Sequence, residues 1–457
     1  MGPLRRVPRN RSKGRSRLAA FTACALVLVS LVSVSSASAT DFGSSNGTKC
    51  VDPSGTVNLG LAYESNAADV VEQSLGTDTA LVPGDEAIVD NLKAGVAQLN
   101  ADGGLAGCQV DMITYRFPAS TSDWGQESQK ECAAFTQDAT VFAVYGVGGL
   151  ENQVGLDCYV KAKLPFFATG QLYQPTCDDL TKGAPYIYYP NGVASCRFAS
   201  LVGLWNKAGL FSKDAKVGIL AMDDGTGQGD YVANKIYAPA LKKLKLPYEI
   251  VSYHGASSGE DFANTGATMS SAILKFKADG INTVIFTPGG PQGPAGFIPL
   301  ATSQQFFPAY GLNTSDSLGL AAAVGATGIK KGIAVSWQIT DLPLQLQQSL
   351  PANSAITECA TWTQPSQTTL TGVNAYCDFL HLLQESVGKA KDLEPATIRK
   401  GIDALGTTFK ASTTYGGATK YGAKVNGGNI AMAQMLQFNA TTKAWELLPG
   451  TKPVPLG

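Results

Sequence analysis

A glycine turn between a predicted helix and a predicted strand constrains the fold of this chain more than any other stretch. Before the turn, apolar residues recur at helical spacing, at Ile88, Leu92, Val96 and Leu99. Gly103-Gly104 can adopt the left-handed backbone needed just past a helix end, and a strand is predicted over residues 108–117. An earlier strand is predicted over residues 56–63. Strand, helix and strand together predict a βαβ unit.

Short apolar runs alternate with amphipathic stretches along the rest of the chain. The further predicted strands cover residues 140–146, 164–168, 186–189, 215–221, 248–253 and 282–287. Strands that alternate with helices favour parallel sheets covered by helices on both faces. Two such series, with a break near Pro190, predict an α/β protein of two lobes.

Residues 1–39 have the pattern of a secretory signal peptide. A basic start precedes a mostly apolar run over residues 18–34, and Ala37-Ser38-Ala39 fits a small-x-small cleavage site. We predict cleavage after Ala39 and an extracytoplasmic location, secreted or periplasmic. Cys24 lies near the start of the apolar run, so we interpret it as part of the signal peptide rather than as a lipid-anchor site.

Eight of the 9 cysteines lie beyond the signal peptide, and an even number in an exported protein predicts disulfides. We pair cysteines that are close in sequence, that lie on successive predicted helices covering the same face of a sheet, or that lie beside neighbouring predicted strands. The predicted pairs are Cys50 with Cys108, Cys132 with Cys158, Cys177 with Cys196, and Cys359 with Cys377. Because no two of these cysteines have the short spacing of zinc ligands, and the chain has 2 histidines, we expect no metal site. No cofactor is implied.

The composition argues against charged macromolecular partners. The net charge is -1 and charged residues make up 16% of the chain, so no nucleic-acid or membrane-surface footprint is expected. Hydrophobic residues make up 44%, which is enough for a sizeable core.

The amino-acid sequence of this turn resembles that of a known protein family. Asn100-Ala101 followed by Gly103-Gly104-Leu105 resembles the helix-to-strand turn of type I periplasmic binding proteins, the branched-chain amino-acid family of ABC-transporter receptors. Other segments are similar to the same family, at residues 223–229, 259–262, 273–280, 375–380 and 398–402. The resemblance implies a two-lobe type I fold, each lobe a mostly parallel sheet flanked by helices, with three hinge crossings.

The same resemblance implies the domain boundaries and the function. Crossings are placed near Pro190, at residues 332–336 and at residues 434–438. Lobe one then comprises residues 50–190 and 338–432, and lobe two comprises residues 191–337 and 433–457. The implied function is an extracytoplasmic solute-binding receptor that captures a small polar or amphipathic molecule between the lobes and delivers it to an ABC permease in the membrane.

Ligands of open α/β sheets bind beyond the carboxyl ends of the strands, where helix N-termini suit anionic groups. The loops that begin at residues 64, 148, 169 and 223 meet this description. The candidate ligand-binding residues are Glu64, Gly148, Gly149, Asn152, Gly170, Gln171, Tyr173, Asp223, Gln228 and Gly289. The aromatic residues that could cover a ligand are Trp124, Tyr173, Tyr189 and Trp337.

The candidate loops depart from the resembling family. Amino-acid binders of that family usually have Ser or Thr in the loops that match residues 148–152 and 170–173, whereas this chain has Asn152 and Gln171. The acidic residue that would meet a ligand's ammonium is Asp223 or Asp316. Because amides replace hydroxyls, we expect weak or no binding of leucine, isoleucine and valine, and better binding of a small amide, carboxylate or aromatic acid.

Enzyme motifs are incomplete, so we expect no catalytic activity. Residues 255–259 match Gly-x-Ser-x-Gly, but no helical pattern follows at once. The glycine-rich loop 225–229 lacks the Lys-Ser or Lys-Thr of a P-loop. His254 and His381 are interpreted as structural. Two alternatives stay open, a secreted carboxylate-dependent hydrolase using Asp223, Asp224 and Glu151, and an extracellular ligand-sensing domain.

Overall fold

The computed structural model describes residues 55–66, 85–119, 121, 123–146, 152–168, 175–183, 186–256, 261–290, 292–350, 353–362, 370–389, 393–422 and 429–456. The predicted signal peptide and Cys50 lie outside these ranges. Within them, no helix is both long and apolar enough to cross a lipid bilayer.

Five parallel strands form the first sheet. In chain order they are β1 (Thr56–Ser65), β2 (Gln109–Pro118), β3 (Ala143–Gly146), β4 (Phe166–Ala168) and β5 (Ile187–Tyr188). Their order in space is β2-β1-β3-β4-β5. β1 and β2 pair in parallel along their whole length, and α1 (Asp85–Ala101) connects them. The predicted βαβ unit is therefore confirmed.

The turn after α1 shows why its residues are needed. Gly103 and Gly104 have φ values of 100° and 68°, in the region that favours glycine. A Cβ on Gly104 would lie 1.9 Å from the Cys108 carbonyl oxygen, so the turn also has no room for a side chain there. The Asn100 side chain donates to the Val110 oxygen at 2.9 Å and accepts from the Val110 nitrogen at 2.7 Å. Asn100 thereby ties the helix end to the next strand.

Helices cover both faces of the first sheet. Those that follow β2, β3 and β4 are α2 (Trp124–Ala133), which continues into a π-helical turn (Ala134–Asp138), α3 (Gln153–Ala162) and α4 (Cys177–Gly183). Successive strand residues point to opposite faces. Accordingly, Leu61 packs in the core cluster that contains Leu92 of α1, and Ala62 packs in the cluster that contains Leu156 of α3.

The second sheet has eight strands. They are β6 (Val217–Asp223), β7 (Tyr248–His254), β8 (Thr283–Phe286), β9 (Ala309–Asn313), β10 (Gly332–Ser336), β11 (Met432–Asn439), β12 (Ala444–Leu447) and β13 (Val454–Pro455). The order is β12-β11-β10-β9-β8-β6-β7, with β13 paired to β11. β6 to β10 pair in parallel, and β11 pairs antiparallel with β10, β12 and β13. All the predicted strands of this sheet are confirmed, with shifted ends.

Helices also connect the strands of the second sheet. They are α5 (Ala199–Lys207), α6 (Gln228–Tyr231), a π-helical turn (Val232–Tyr237), α7 (Ala238–Lys243), α8 (Phe262–Ala278), α9 (Gln292–Ser303) and α10 (Leu318–Gly325). A short 3-10 helix (Thr314–Asp316) follows β9.

The chain then returns to the first sheet before it reaches β11. The return segment contains α11 (Leu344–Gln348), α12 (Ser354–Trp362), α13 (Leu370–Lys389) and α14 (Pro395–Leu405). Leu380 of α13 and Ile398 of α14 pack in the first-sheet core with Leu92 of α1. Ile339 and Leu342, however, pack in the core of the second sheet. The predicted lobe boundaries stay a prediction, and this packing favours a later start for the returning part of lobe one.

The crossings between the two sheets meet at one junction. The Gln338 side chain, just after β10, donates to the Asn191 carbonyl oxygen, just after β5, at 3.0 Å. Thr413 and Asn191 are joined by a side-chain hydrogen bond of 3.4 Å. The Arg197 guanidinium donates to the Ile430 and Leu456 carbonyl oxygens. The carboxyl ends of β5 and β10 therefore lie next to each other.

Three disulfides confirm three of the predicted pairs. They join Cys132 to Cys158, Cys177 to Cys196, and Cys359 to Cys377. Cys132 and Cys158 lie on α2 and α3, as the prediction required. Cys108 is itself in a disulfide, but Cys50 lies outside the described residues, so the fourth pair stays a prediction.

Candidate functional site

Four buried polar atoms lie at the carboxyl ends of the second-sheet strands without a hydrogen-bond partner in the described part of the chain. They are Tyr237 Oη, Tyr253 Oη, Ser315 Oγ and Asp316 Oδ1. Buried polar groups are nearly always paired, so four such atoms in one region indicate a place for a polar ligand or for water.

Local structure positions each of these side chains. Tyr253 is the penultimate residue of β7, and Tyr237 ends the π-helical turn that follows α6. Ser315 and Asp316 lie in the 3-10 helix directly after β9. The charge of Asp316 contributes to raising the pKa values of both Tyr237 and Tyr253, which places the three groups around one region.

A capping box holds the Asp316 carboxylate. Its Oδ2 atom accepts from the Asn313 backbone nitrogen at 2.8 Å and from the Asn313 side-chain nitrogen at 2.9 Å. Its Oδ1 atom is left for another partner. Burial raises the pKa of Asp316 well above its usual range, the nearby Asp341 raises it further, and the Asn313 backbone hydrogen bond opposes the shift. The neutral, protonated carboxyl is therefore favoured.

Two glycines pack close to the Tyr253 hydroxyl. A Cβ on Gly289 would lie 3.3 Å from Tyr253 Oη, and a Cβ on Gly293 would lie 3.4 Å from it. Gly289, which was among the predicted site residues, thus lies beside the polar cluster. A Cβ on Gly289 would also lie 2.5 Å from the Met222 Sδ atom, so a larger residue there would displace Met222.

A second polar layer supports the cluster from behind. Asp341 Oδ2 accepts from the Thr314 hydroxyl at 2.6 Å and from the Ser336 hydroxyl at 2.7 Å, and Ser336 Oγ lies 2.9 Å from Tyr415 Oη. Burial raises the pKa of Asp341 to about 6, against these hydrogen bonds. Thr314 also accepts from the Trp337 nitrogen at 2.9 Å, which links β9 to the crossing after β10.

The predicted residues of the first lobe fall partly outside the described residues. Those outside are Gly148, Gly149, Gly170, Gln171, Tyr173 and, for the hydrolase alternative, Glu151. Asn152 has a structural role, because it caps α3 by accepting from Gly155 and donates to the Ser128 hydroxyl at 2.5 Å. Glu64 is the penultimate residue of β1 and is half-buried, and its charge contributes to raising the pKa of Tyr376.

The predicted residues of the second lobe divide into exposed and buried ones. Asp223 is exposed and accepts from the Gly225 nitrogen at 3.3 Å, whereas Asp316 is 1% exposed. Of the two acidic residues left open by the sequence, Asp316 has the more ligand-like geometry. Gln228 is buried at the start of α6, and its backbone nitrogen donates to the Thr226 hydroxyl at 3.2 Å.

The aromatic candidates are mostly part of the core. Tyr189 and Trp337 are each 2% exposed, and the Trp337 ring lies 6.1 Å from the ring of Phe198. Trp124 is half-buried at the start of α2. Tyr189 and Trp337 therefore belong to the packed interior rather than to an open surface.

Sequence reasoning missed Tyr237, Tyr253 and Ser315. Tyrosines near a strand end are common, so nothing in the sequence separates these from core residues. Asn313-Thr314-Ser315-Asp316 did carry a signal, because Asn followed three residues later by an acidic residue is typical of a capped helix start. That pattern directly after a strand places a carboxyl at the sheet's carboxyl end.

Enzyme features find no support in the described residues. His254 Nε2 lies 2.5 Å from Asp261 Oδ2, and Ser257 lies outside the described residues. In the ranges that the structure covers, no group of three His, Cys, Asp or Glu side chains could hold a metal ion.

Comparisons with known proteins agree with this architecture. No family model matches the chain, and no curated protein matches its sequence. Among solved structures, a fatty acid ABC transporter substrate-binding protein from Thermomonospora curvata superposes with a TM-score of 0.61 at 14% identity, over 89% of this chain and 94% of that chain.

Two other solved structures are similarly close. A leucine-binding protein from Thermotoga maritima has a TM-score of 0.61 at 12% identity, over 87% of this chain and 99% of that chain. A branched-chain amino acid ABC transporter protein from Thermus thermophilus, with bound valine, has a TM-score of 0.59 at 12% identity, over 88% and 96% of the two chains. This chain therefore has the predicted two-lobe α/β fold of type I periplasmic binding proteins, shared with ABC transporter substrate-binding proteins.

Proposed function

We propose that this protein is an extracytoplasmic solute-binding receptor that delivers its solute to an ABC permease. The observation that carries the proposal is the set of four buried, unpartnered polar atoms at the carboxyl ends of the second-sheet strands, on Tyr237, Tyr253, Ser315 and Asp316. Ligands of open α/β sheets bind at this edge. The role needs binding and closure of the lobes, and no bond chemistry. Nothing in the described residues favours the hydrolase or the sensing domain.

The chemistry of the cluster favours a solute with acceptor oxygens. Burial favours the protonated carboxyl of Asp316, and a protonated carboxyl, like the tyrosine and serine hydroxyls, can donate a hydrogen bond. Four donors suit an amide carbonyl or a carboxylate better than an ammonium group. This supports the sequence-based preference for a small amide, carboxylate or aromatic acid over a branched-chain amino acid.

A thermal-shift screen of amides, carboxylic acids and amino acids should find the solute, because a ligand of the folded state raises its stability. Calorimetry with Tyr253→Phe should then show at least tenfold weaker binding, about 1.4 kcal/mol. Tyr310→Phe is the matched control: its hydroxyl is also buried and unpartnered among the described residues, but it lies near the amino end of β9. Equal losses in both variants would place the solute elsewhere.

Asp316 variants separate the two solute classes. Asp316→Asn keeps a hydrogen-bond donor, whereas Asp316→Leu removes it. For an acceptor-bearing solute we expect Asp316→Asn to bind within a few-fold of the parent and Asp316→Leu to lose binding. Loss of binding in Asp316→Asn as complete as in Asp316→Leu, with proton release by the parent on binding, would instead indicate a cationic solute held by the ionised carboxylate.

A further inference from the structure

Eleven exposed lysines lie at the end of the second lobe opposite the polar cluster. They occupy helix ends and loops that lead into the amino ends of β6, β7, β8, β10 and β12, and we call this set the lysine end. It comprises Lys207, Lys213, Lys216, Lys242, Lys243, Lys245, Lys275, Lys277, Lys330, Lys331 and Lys443. The acidic residues at the same end are Asp214, Glu249, Asp279 and Glu446. The excess of positive charge is strong although the whole chain has a net charge of -1.

Hydrogen bonds join the loops of the lysine end into one surface. The Asn282 side chain accepts from the Lys216 nitrogen at 3.0 Å and donates to the Asp214 oxygen at 3.1 Å, and its carbonyl accepts from Ala309 at 2.9 Å. The Lys331 ammonium donates to the Gly209 oxygen at 2.8 Å. The loops before β6, β8, β9 and β10 are therefore in direct contact.

The same surface exposes large apolar side chains. Five large hydrophobic residues are exposed among the described residues, and four of them lie here. They are Leu244, Tyr248, Leu274 and Phe307, of which Leu274 is 62% exposed. The Lys330 ammonium lies 5.5 Å from the Phe307 ring centre, so charge and apolar surface are interleaved.

Helix capping explains only part of this pattern. Lys242, Lys243, Lys275 and Lys277 lie in the last turns of α7 and α8, where cations stabilise the helix dipole. Lysines in the connecting loops gain nothing from a dipole, and capping does not account for exposed Leu274 or Phe307. Apolar residues clustered at one end of a protein surface indicate an interaction site.

We propose that the lysine end docks on an anionic phospholipid membrane. Lysines near an anionic bilayer each strengthen binding by about fivefold, and exposed apolar side chains insert among the headgroups. A soluble polyanion would be recognised by charge alone, so the apolar side chains favour a bilayer. The surface lies at the opposite end of the strands from the polar cluster, and docking would leave the proposed solute site uncovered.

The test is flotation of the processed protein with vesicles. Vesicles of phosphatidylcholine and phosphatidylglycerol in equal amounts should carry the protein, and pure phosphatidylcholine vesicles should not. High salt should release it, because exposed charges are screened. Equal binding to both vesicle types, or to neither, would overturn the proposal.

Matched lysine variants localise the effect. The triple variant Lys242→Gln, Lys243→Gln and Lys245→Gln should lower vesicle binding by at least about tenfold. The control triple, Lys161→Gln, Lys163→Gln and Lys182→Gln, removes three exposed lysines of the first lobe and should leave binding unchanged. Each triple includes one residue with a left-handed backbone, Lys245 or Lys163, so the strain is matched. An equal loss of vesicle binding in the two triple variants would mean that binding depends only on the total charge of the protein. That result would overturn the proposal.

An apolar variant separates a bilayer from a polyanion. Leu274→Ser with Phe307→Ser should weaken vesicle binding by about tenfold without changing the retention of the protein on immobilised polyglutamate. The contrary outcome is that vesicle binding is unchanged in this double variant and falls in parallel with polyglutamate retention across the lysine variants. In that case the lysine end is a polyanion site and the membrane proposal is wrong. The midpoints of thermal unfolding of all variants should match the parent, which excludes misfolding as the cause.

Discussion

The two lobes are stabilised in different ways. The first lobe is built on a five-stranded sheet, and its helices are joined by the bridges Cys132–Cys158 and Cys359–Cys377. A third bridge, Cys177–Cys196, ties α4 to the first crossing. The second lobe has an eight-stranded sheet, and its described residues beyond Cys196 contain no disulfide. Buried ionisable side chains occur in both lobes, at Asp378 in the first and at Asp316 in the second.

The two lobes also differ in the length of their strands. β3, β4 and β5 have four, three and two residues, so the first sheet offers little area per strand for packing. Cross-links constrain the unfolded chain, so the bridges add stability to a lobe in which these strands contribute little pairing. Asp316 is buried at the carboxyl ends of the second-sheet strands, where we propose that a solute is recognised.

Removing a bridge should have the largest effect. Cys132→Ala with Cys158→Ala opens a closed loop with a sequence separation of 26, which should lower the free energy of unfolding by about 3 to 4 kcal/mol. Hydrogen exchange followed by mass spectrometry should show faster exchange in β3, α2 and α3 than in β6 to β9. An equal increase in exchange rate across both lobes would show that the lobes unfold as one unit. The bridge would then not stabilise the first lobe separately.

Gly104→Ala tests the tight turn of the first lobe against an open turn of the second. Gly104 and Gly225 both have positive φ values, 68° and 80°. A Cβ on Gly104 meets the Cys108 oxygen at 1.9 Å, whereas a Cβ on Gly225 has nothing within 4 Å. We expect denaturant unfolding to show a loss of about 3 kcal/mol for Gly104→Ala and about 1 kcal/mol for Gly225→Ala, the latter from backbone strain alone. Equal losses would show that the turn can relax away from Cys108.

The smallest expected effect concerns Asp341 and pH. Its folded pKa of about 6 exceeds that of an unfolded aspartate, near 4. The folded state therefore keeps a proton that the unfolded state has lost, and this contribution to stability is complete below about pH 4 and lost as the pH rises through about 6. Asp341→Asn cannot ionise, so its stability relative to the parent should rise by about 2 to 3 kcal/mol between pH 4 and pH 7.

Urea unfolding at both pH values measures this change. Asp230→Asn is the control, since the exposed Asp230 lies in the first turn of α6 and its replacement should change stability by no more than about 1 kcal/mol. If the stability difference between Asp341→Asn and the parent is the same at both pH values, the hydrogen bonds from Thr314 and Ser336 offset the burial of the carboxylate.

Several parts of the fold could be predicted from short-range patterns. The turn at Gly103-Gly104, the alternation of strands and helices, and three cysteine pairs depend on residues near each other in sequence or on successive helices. Asn152 has partners on α2, Trp124 and Ser128, that its neighbours in sequence do not indicate, and its ligand-binding role stays a prediction. A local pattern cannot show which distant side chain completes a cap.

The charge distribution was also hidden from the sequence. A net charge of -1 predicted no membrane-surface footprint, because composition averages over the molecule. The residues of the lysine end are spread from Lys207 to Lys443 along the chain, and parallel β-strands bring them to one end. Parallel strands place all their amino ends on the same side, so residues before successive strands share a surface.

The sequence by itself determined the α/β class, the two series of strands, the turn chemistry and most cysteine pairing, because these follow from periodicity, backbone preference and short separations. Only the tertiary structure decided that Asp316 rather than Asp223 is buried beside Tyr237 and Tyr253, and that Tyr253 faces Gly289. Burial and unpaired hydrogen-bonding atoms are properties of how distant strands pack, and no single segment contains them.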